Sequence, residues 1–308
     1  MATKFRMIDL FAGTGAFSLA TGDTHTCVMA NDMVKPSAAI FRLNHPDTPF
    51  VLADLHSIPV GDIPAHDLLC GGFPCQPFSI AGEKKGFEDE RANVFWKICD
   101  ILDHHRPGQI ILENVKNLTT HDGGNTFAVI QSSLEELGYH LKTQVLDTRV
   151  YTDVPQHRER IYIVGFLDPI QCDAFQFPSP VEETRPIRDF LEESIPEKYY
   201  YTDKLKVWPM VKEGVVRHID ENVLYQYRRS FVRENKSNSC PTLTANMGGG
   251  GHNVPLLRDD RGIRKLTPRE CFNLQGFPAD YQLPDLCDSA LYKLAGNAVS
   301  VPVVTALI

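Results

Sequence analysis

Short apolar runs, each closed by glycine, proline or a carboxylate, recur along the first half of the chain. Residues 5–11 (FRMIDLF) form the first, and Ala12-Gly13-Thr14-Gly15-Ala16-Phe17 follows before a short helical stretch. Residues 27–30 and 50–52 repeat the pattern and end in Asn31-Asp32 and Ala53-Asp54. A fourth run, centred on Leu68 and Leu69, ends in Gly71-Gly72-Phe73-Pro74-Cys75-Gln76. Residues 91–105 have helical spacing and stop at Pro107-Gly108. A fifth strand is predicted over 109–112, closing in Glu113-Asn114-Val115. A helix follows over 126–137, ended by Gly138, and strands over 141–148 and 161–166. Strand alternating with helix from 5 to 166 predicts an α/β fold, a mostly parallel sheet with helices on both faces. Ligands in such folds sit beyond the carboxyl ends of the strands. Cys75 and Glu113 both fall there, so they can face one pocket.

Beyond Phe177-Pro178-Ser179-Pro180 the periodicity fades into mixed Gly, Asn, aromatic and basic residues, which predicts loops and short strands in a second domain. Residues 266–274 read as a helix, with Thr267 or its neighbour as cap and Pro268 at the first position. The last apolar stretch stops abruptly at Ile308, which leaves open whether the natural chain continues. Net charge is −8, yet residues 200–265 hold twelve Lys/Arg against seven Asp/Glu. A basic segment on an acidic body is what a polyanion partner would need, and equally what a solvated charged face looks like. Eight cysteines are scattered without a CxxC pair, which argues against a zinc site and a disulfide framework; most read as small buried apolar residues. The apolar runs are too short for a membrane span, and MATKFRMIDLF leaves no room for a secretory signal, so a cytoplasmic protein is expected.

The Gly13-x-Gly15 turn between strand and helix can present backbone N–H groups to an anionic ligand, although a tight turn without a ligand gives the same local pattern. Asp32, 23 residues after Asp9, stands where a ribose hydroxyl pair would be held, and Asp54 could accept from an adenine amino group. Carboxylates at three successive strand ends, Asp9, Asp32 and Asp54, favour a nucleoside site. Cys75 sits in a loop shaped by Gly71, Gly72 and Pro74, as a thiol placed to attack would. Arg158 and Arg160, at i and i+2, are expected to point to one face.

DLFAGTGAF (9–17), GGFPCQPFS (71–79), ENVKN (113–117), QHRER (156–160), RKLTPRECFNLQGFP (264–278) and GNAVSVP (296–302) stand in an order that resembles the DNA (cytosine-5) methyltransferases of the bacterial restriction–modification type. The resemblance spans nearly the whole chain. It implies a Rossmann-like S-adenosylmethionine-dependent methyltransferase sheet over 1–187 and 290–308, with a smaller, mostly β and loop target-recognition domain and hinge over 188–289. It implies that Cys75 adds to C6 of a flipped-out cytosine, that Glu113 contacts N3 and the exocyclic amine, and that Arg158 and Arg160 anchor base, phosphate and catalytic loop. By position, Phe11, Gly13, Gly15, Asp32, Asp54, Pro74 and Asn297 would line the S-adenosylmethionine site. Met33 stands where some members carry tryptophan, and Ala16 replaces a frequent glycine. Double-stranded DNA is the implied partner. Gln76, Ser79 and Arg91 would contact it in a mobile loop that also carries Lys84 and Lys85, and Arg228, Arg229, Arg233, Lys236, Thr242 and Leu243 in the recognition region. No metal is expected. A bacterial or phage-encoded monomer is; whether a cognate endonuclease exists is left open, and one that does is expected to form no stable complex. A tRNA-directed relative and a non-enzymatic nucleic-acid-binding protein are the alternatives. A zinc nucleobase deaminase is excluded by the missing HxE…PCxxC pattern.

Overall fold

The computed structural model describes residues 4–74, 94–216, 223–228, 230–249 and 253–308. The chain forms two compact units, each from discontinuous segments: 1–146 with 159–178 and 304–308, and 147–158 with 179–303. The resemblance implies boundaries at 187/188 and 289/290. By contact, residues 147–158, 179–187 and 290–303 group with the smaller sheet.

The larger unit is built on a seven-stranded sheet, β3-β2-β1-β4-β5-β7-β6. Its strands are β1 (Phe5–Leu10), β2 (His25–Asp32), β3 (Phe50–Leu52), β4 (Leu68–Gly72), β5 (Gln109–Val115), β6 (His140–Asp147) and β7 (Glu159–Phe166). The central strands are near-continuous apolar runs because both faces are covered. Met7, Ile8, Leu10, Leu68, Leu69, Ile110, Ile111 and Leu112 are all essentially inaccessible. Parallel neighbours need crossovers. Helices α1 (Ala16–Thr21) and α2 (Lys35–Asn44) link β1 to β2 and β2 to β3; α3 (Val94–His105) and α4 (Asn125–Glu136) precede β5 and β6. Apolar positions of α3 and α4, Phe95, Ile98, Ile101, Leu102, Ile130 and Leu134, join the core with Leu69, Ile110 and Leu112. One strand breaks the parallel pattern. β7 runs antiparallel to β5, pairing Glu113 with Tyr162 and Val115 with Arg160. Its first residues therefore lie at the same edge as the carboxyl ends of β1 to β5.

The smaller unit contains a four-stranded antiparallel sheet, β11-β10-β8-β9. Its strands are β8 (Tyr225–Arg228), β9 (Phe231–Glu234), β10 (Leu256–Asp259) and β11 (Gly262–Lys265). Tyr225, Tyr227, Leu256 and Ile263 close its core with Val211, Val215 and Val223. The predicted helix after 266 is present as Pro268–Asn273. Thr267 caps it, Pro268 stands in its first turn, and Glu270 completes a capping box.

Candidate active site

The turn after β1 carries three residues of positive φ: Phe11 at 56°, Gly13 at 53° and Gly15 at 71°. Gly15 also has no room for a side chain. A Cβ there would stand 2.6 Å from His45 Nε2 and 2.9 Å from Phe41 Cδ2. The loop thus requires its glycine for packing as well as for conformation. Asp9 departs from the strand-end pattern. It is fully buried, and its Oδ2 accepts from Ser18 N at 3.1 Å and Ser18 Oγ at 2.7 Å. Gly15 offers α1 no side-chain cap, so Asp9 supplies from the strand the acceptor that the first turn lacks. Burial, partly offset by the Ser18 bonds, pushes its carboxyl up to about 7.

Asp32 and Asp54 do lie at strand ends. Asp32 Oδ2 accepts from Gly13 N at 3.0 Å and Oδ1 from Val34 N at 2.8 Å, so β2 and the glycine turn are tied together. Asp54 is exposed and caps a short 3-10 turn through His56 N at 3.0 Å. Leu52 pairs with Asp32 across the sheet. Leu52 and Met33 remain 39% and 66% exposed. Bare apolar surface beside two carboxylates and a left-handed glycine turn fits a ligand with a flat apolar ring and hydroxyl donors, as an adenosine has.

Glu113 lies two residues before the end of β5, at 7% exposure. Arg160 Nε approaches its Oε1 at 3.0 Å, an ion pair without the alignment of a good hydrogen bond. Asn114 turns back: its Nδ2 donates to Phe73 O at 2.9 Å, and its Oδ1 accepts from Val115 N at 2.8 Å. Gly72 pairs with Glu113. The chain therefore leaves β4 beside the Glu113–Arg160 pair, with Phe73 held by Asn114 and Pro74 exposed. Cys75 lies outside the described residues, as do Gln76, Ser79, Lys84, Lys85 and Arg91.

Arg158 belongs to the smaller unit, at 2% exposure. Its Nη1 donates to Leu243 O at 3.0 Å, and its Nη2 to Gly296 O at 3.3 Å and Ala298 O at 2.7 Å. Gln156, also buried, reaches Leu274 O at 2.6 Å and Gln275 Oε1 at 3.1 Å. Arg158 is thus a brace for the strip that contains Asn297, the exposed last residue of Asp288–Asn297. Gly296 admits no Cβ, which would meet Thr244 O at 2.1 Å. Leu243 is fully buried; its N–H donates to Gln156 Oε1 at 3.3 Å. Such a side chain presents nothing to DNA, so Leu243 is withdrawn as a candidate contact. Thr242 Oγ1 donates to His157 O at 2.6 Å. Arg228, Arg233 and Lys236 are exposed, and Arg229 lies outside the described residues.

Among the described cysteines Cys70, Cys172, Cys240 and Cys271 are buried, as expected, but Cys287 is exposed. The Ser289 hydroxyl and the Ala290 N–H lower its thiol. Among the described residues no group of three or more His, Cys, Asp or Glu side chains could hold a metal. None of the described helices is long and apolar enough to cross a membrane.

The fold is that of solved methyltransferases. The S. pombe Dnmt2 methyltransferase superposes with a TM-score of 0.75 over 99% of this chain and 97% of its own, at 22% identity. Sequence goes further. Residues 5–308 match the family described as C-5 cytosine-specific DNA methylase. The chain is 47% identical to the type II methyltransferase M.Bsp6I of Bacillus sp. (strain RFL6), covering 97% of this chain and 96% of the relative. It is 39% identical to M.HaeII of Haemophilus aegyptius, covering 99% and 92%. The chain belongs to the C-5 cytosine-specific DNA methylases and is a DNA (cytosine-5) methyltransferase.

Proposed function

We propose that the protein methylates C5 of one cytosine within a short duplex sequence, using S-adenosylmethionine, through transient covalent attachment at Cys75, as the modification enzyme of a type II restriction–modification system. The relatives named above are type II methyltransferases, which supports the last part. The observation that carries the chemistry is the pairing of Gly72 with Glu113, which starts the Cys75 loop beside a carboxylate held by Arg160.

C5 of cytosine is too weak a nucleophile to take a methyl group unaided. A thiolate from Cys75 forms a bond to C6 and leaves C5 electron-rich, one hard step divided into easier ones. Glu113 would donate a proton or hydrogen bond at N3, offsetting charge as the sulfur adds, with Arg160 fixing the carboxyl. Asn114 holds Phe73, two residues before Cys75. S-adenosylmethionine supplies the electrophilic methyl group. Phe11, Gly13, Gly15, Asp32, Asp54 and Pro74 would hold it, and Asn297 on the strength of its motif. With S-adenosylhomocysteine left as the other product, a base or water would take the C5 proton, and the electrons of that C–H bond would expel the Cys75 thiolate from C6 and restore aromaticity. Arg158 braces the Gly296–Ala298 strip and acts through it. Base flipping costs a few kcal/mol of unstacking, and Gln76, Ser79, Arg91, Arg228, Arg229, Arg233, Lys236 and Thr242 are the candidate DNA contacts.

Duplex DNA carrying 5-fluorocytosine at the target should yield a denaturation-resistant complex with the wild-type protein and S-adenosylmethionine, because fluorine cannot leave as a proton does. Cys75→Ala should bind DNA and form none. Trapping by that variant, or full methyl transfer by it, would refute the covalent step.

A further inference from the structure

The β8–β9 ribbon alternates strictly. Tyr225 and Tyr227 face the small core with Val232 packed against it. Gln226, Arg228, Phe231 and Arg233 occupy the other face, where Arg228 and Arg233 are exposed and Phe231 is 52% exposed. Register places Gln226 opposite Arg233 and Arg228 opposite Phe231. β9 is the edge of its sheet.

Both guanidiniums converge on one neutral oxygen. Arg228 Nη2 donates to Gln226 Oε1 at 2.8 Å and Arg233 Nη2 at 2.9 Å. Neither makes an ion pair among the described residues. Three other cations of this unit do: Lys198 with Asp288, Arg261 with Glu197, and Arg264 with Asp259 and Glu270. Two like charges on a shared carbonyl repel, and among the described residues no carboxylate pairs with either. Each fork keeps most of its five N–H donors for an outside acceptor. An exposed phenyl ring beside two arginines, on a two-stranded ribbon, fits a DNA major groove. There arginine pairs with guanine O6 and N7, and apolar groups touch the thymine methyl.

We propose that this outer face reads base edges in the major groove, with Arg228 and Arg233 as guanine-reading forks, Phe231 as their apolar neighbour, and Gln226 as the positioning residue that sets both forks. The proposal deepens the reading above and rests on duplex DNA being the substrate.

The test is bisulfite sequencing of a randomised duplex library methylated by the wild-type protein, Arg228→Lys, Arg233→Lys and Gln226→Ala, alongside the salt dependence of DNA binding. Lysine keeps the charge but not the fork. Each Lys variant should keep the wild-type salt slope and melting temperature, and lose roughly 5- to 150-fold discrimination at one G·C position. Gln226→Ala should relax the positions read by both arginines while leaving S-adenosylhomocysteine binding unchanged. Unaltered sequence preference in all three, or a loss of activity uniform over every sequence, overturns the proposal, since phosphate contacts alone behave that way. If the wild-type protein methylates no member of the library, the substrate reading itself fails, a result distinct from unaltered preference in the variants.

Discussion

Single side chains show how environment separates residues of one type. Asp9, Asp32 and Asp54 share a strand-end pattern, yet Asp9 points into the core and its carboxyl rises to about 7 while it holds Ser18. A carboxyl whose folded pKa lies above its unfolded value of 3.8 binds its proton more tightly when folded. Its contribution to stability is therefore full below pH 4 and is lost as pH rises through 7. Asp9→Asn should remove that slope. Relative to the variant, the wild-type protein should lose roughly 4 kcal/mol of unfolding free energy between pH 4 and pH 8, read by urea denaturation. A constant difference across that range would refute the assignment. The cysteines divide in the same way. Burial pushes Cys27 and Cys99 up to about 12, whereas exposed Cys287 is lowered by Ser289. Among the described cysteines, iodoacetamide at pH 7.5 should modify Cys287 first, as peptide mass mapping would show; earlier labelling of Cys27 or Cys99 would contradict the burial argument.

At the scale of elements, the helix after β11 concentrates several interactions on one carboxylate. Glu270 accepts from both terminal nitrogens of Arg264 at 2.8 Å, from Thr267 N at 2.8 Å and from Glu192 N at 3.1 Å. Removing one partner of a buried pair strands the other charge. Arg264→Ala should therefore destabilise the protein by about 3–5 kcal/mol, while Thr267→Ala, which loses a cap hydroxyl, should cost about 1 kcal/mol. Chemical denaturation of both variants checks the order; equal costs would mean that Glu270 is not the hub. Strand and helix alternation over 5–166 was legible because apolar runs and Gly/Pro stops are local. The insertion of β7 between β5 and β6, reversed, was not. That choice depends on which strand covers Ile110 to Leu112, residues far away in sequence.

Across the whole molecule, charge counted along the chain differs from charge available to a partner. Residues 200–265 hold twelve Lys/Arg, but Arg261 and Arg264 are spent on internal carboxylates. Arg228 and Arg233 on the β8–β9 ribbon instead share the neutral Gln226 oxygen. The two compact units also cut across the motifs. Arg158 and Arg160 are two residues apart, but the chain passes from one unit to the other between Arg158 and Glu159. Arg158 therefore braces carbonyls around Asn297, and Arg160 holds Glu113.

The sequence by itself determined the family, the alternating α/β order, the capped helix at Thr267 and the candidate chemistry of Cys75 and Glu113, because each is written in short contiguous patterns of residue type. Tertiary structure alone decided which strand end turns inward at Asp9, which arginine meets the carboxylate, that Leu243 is sealed in the core, and that Gln226 gathers two guanidiniums. Those outcomes depend on burial and on partners distant in sequence or across a strand pair, and local spacing carries no information about either.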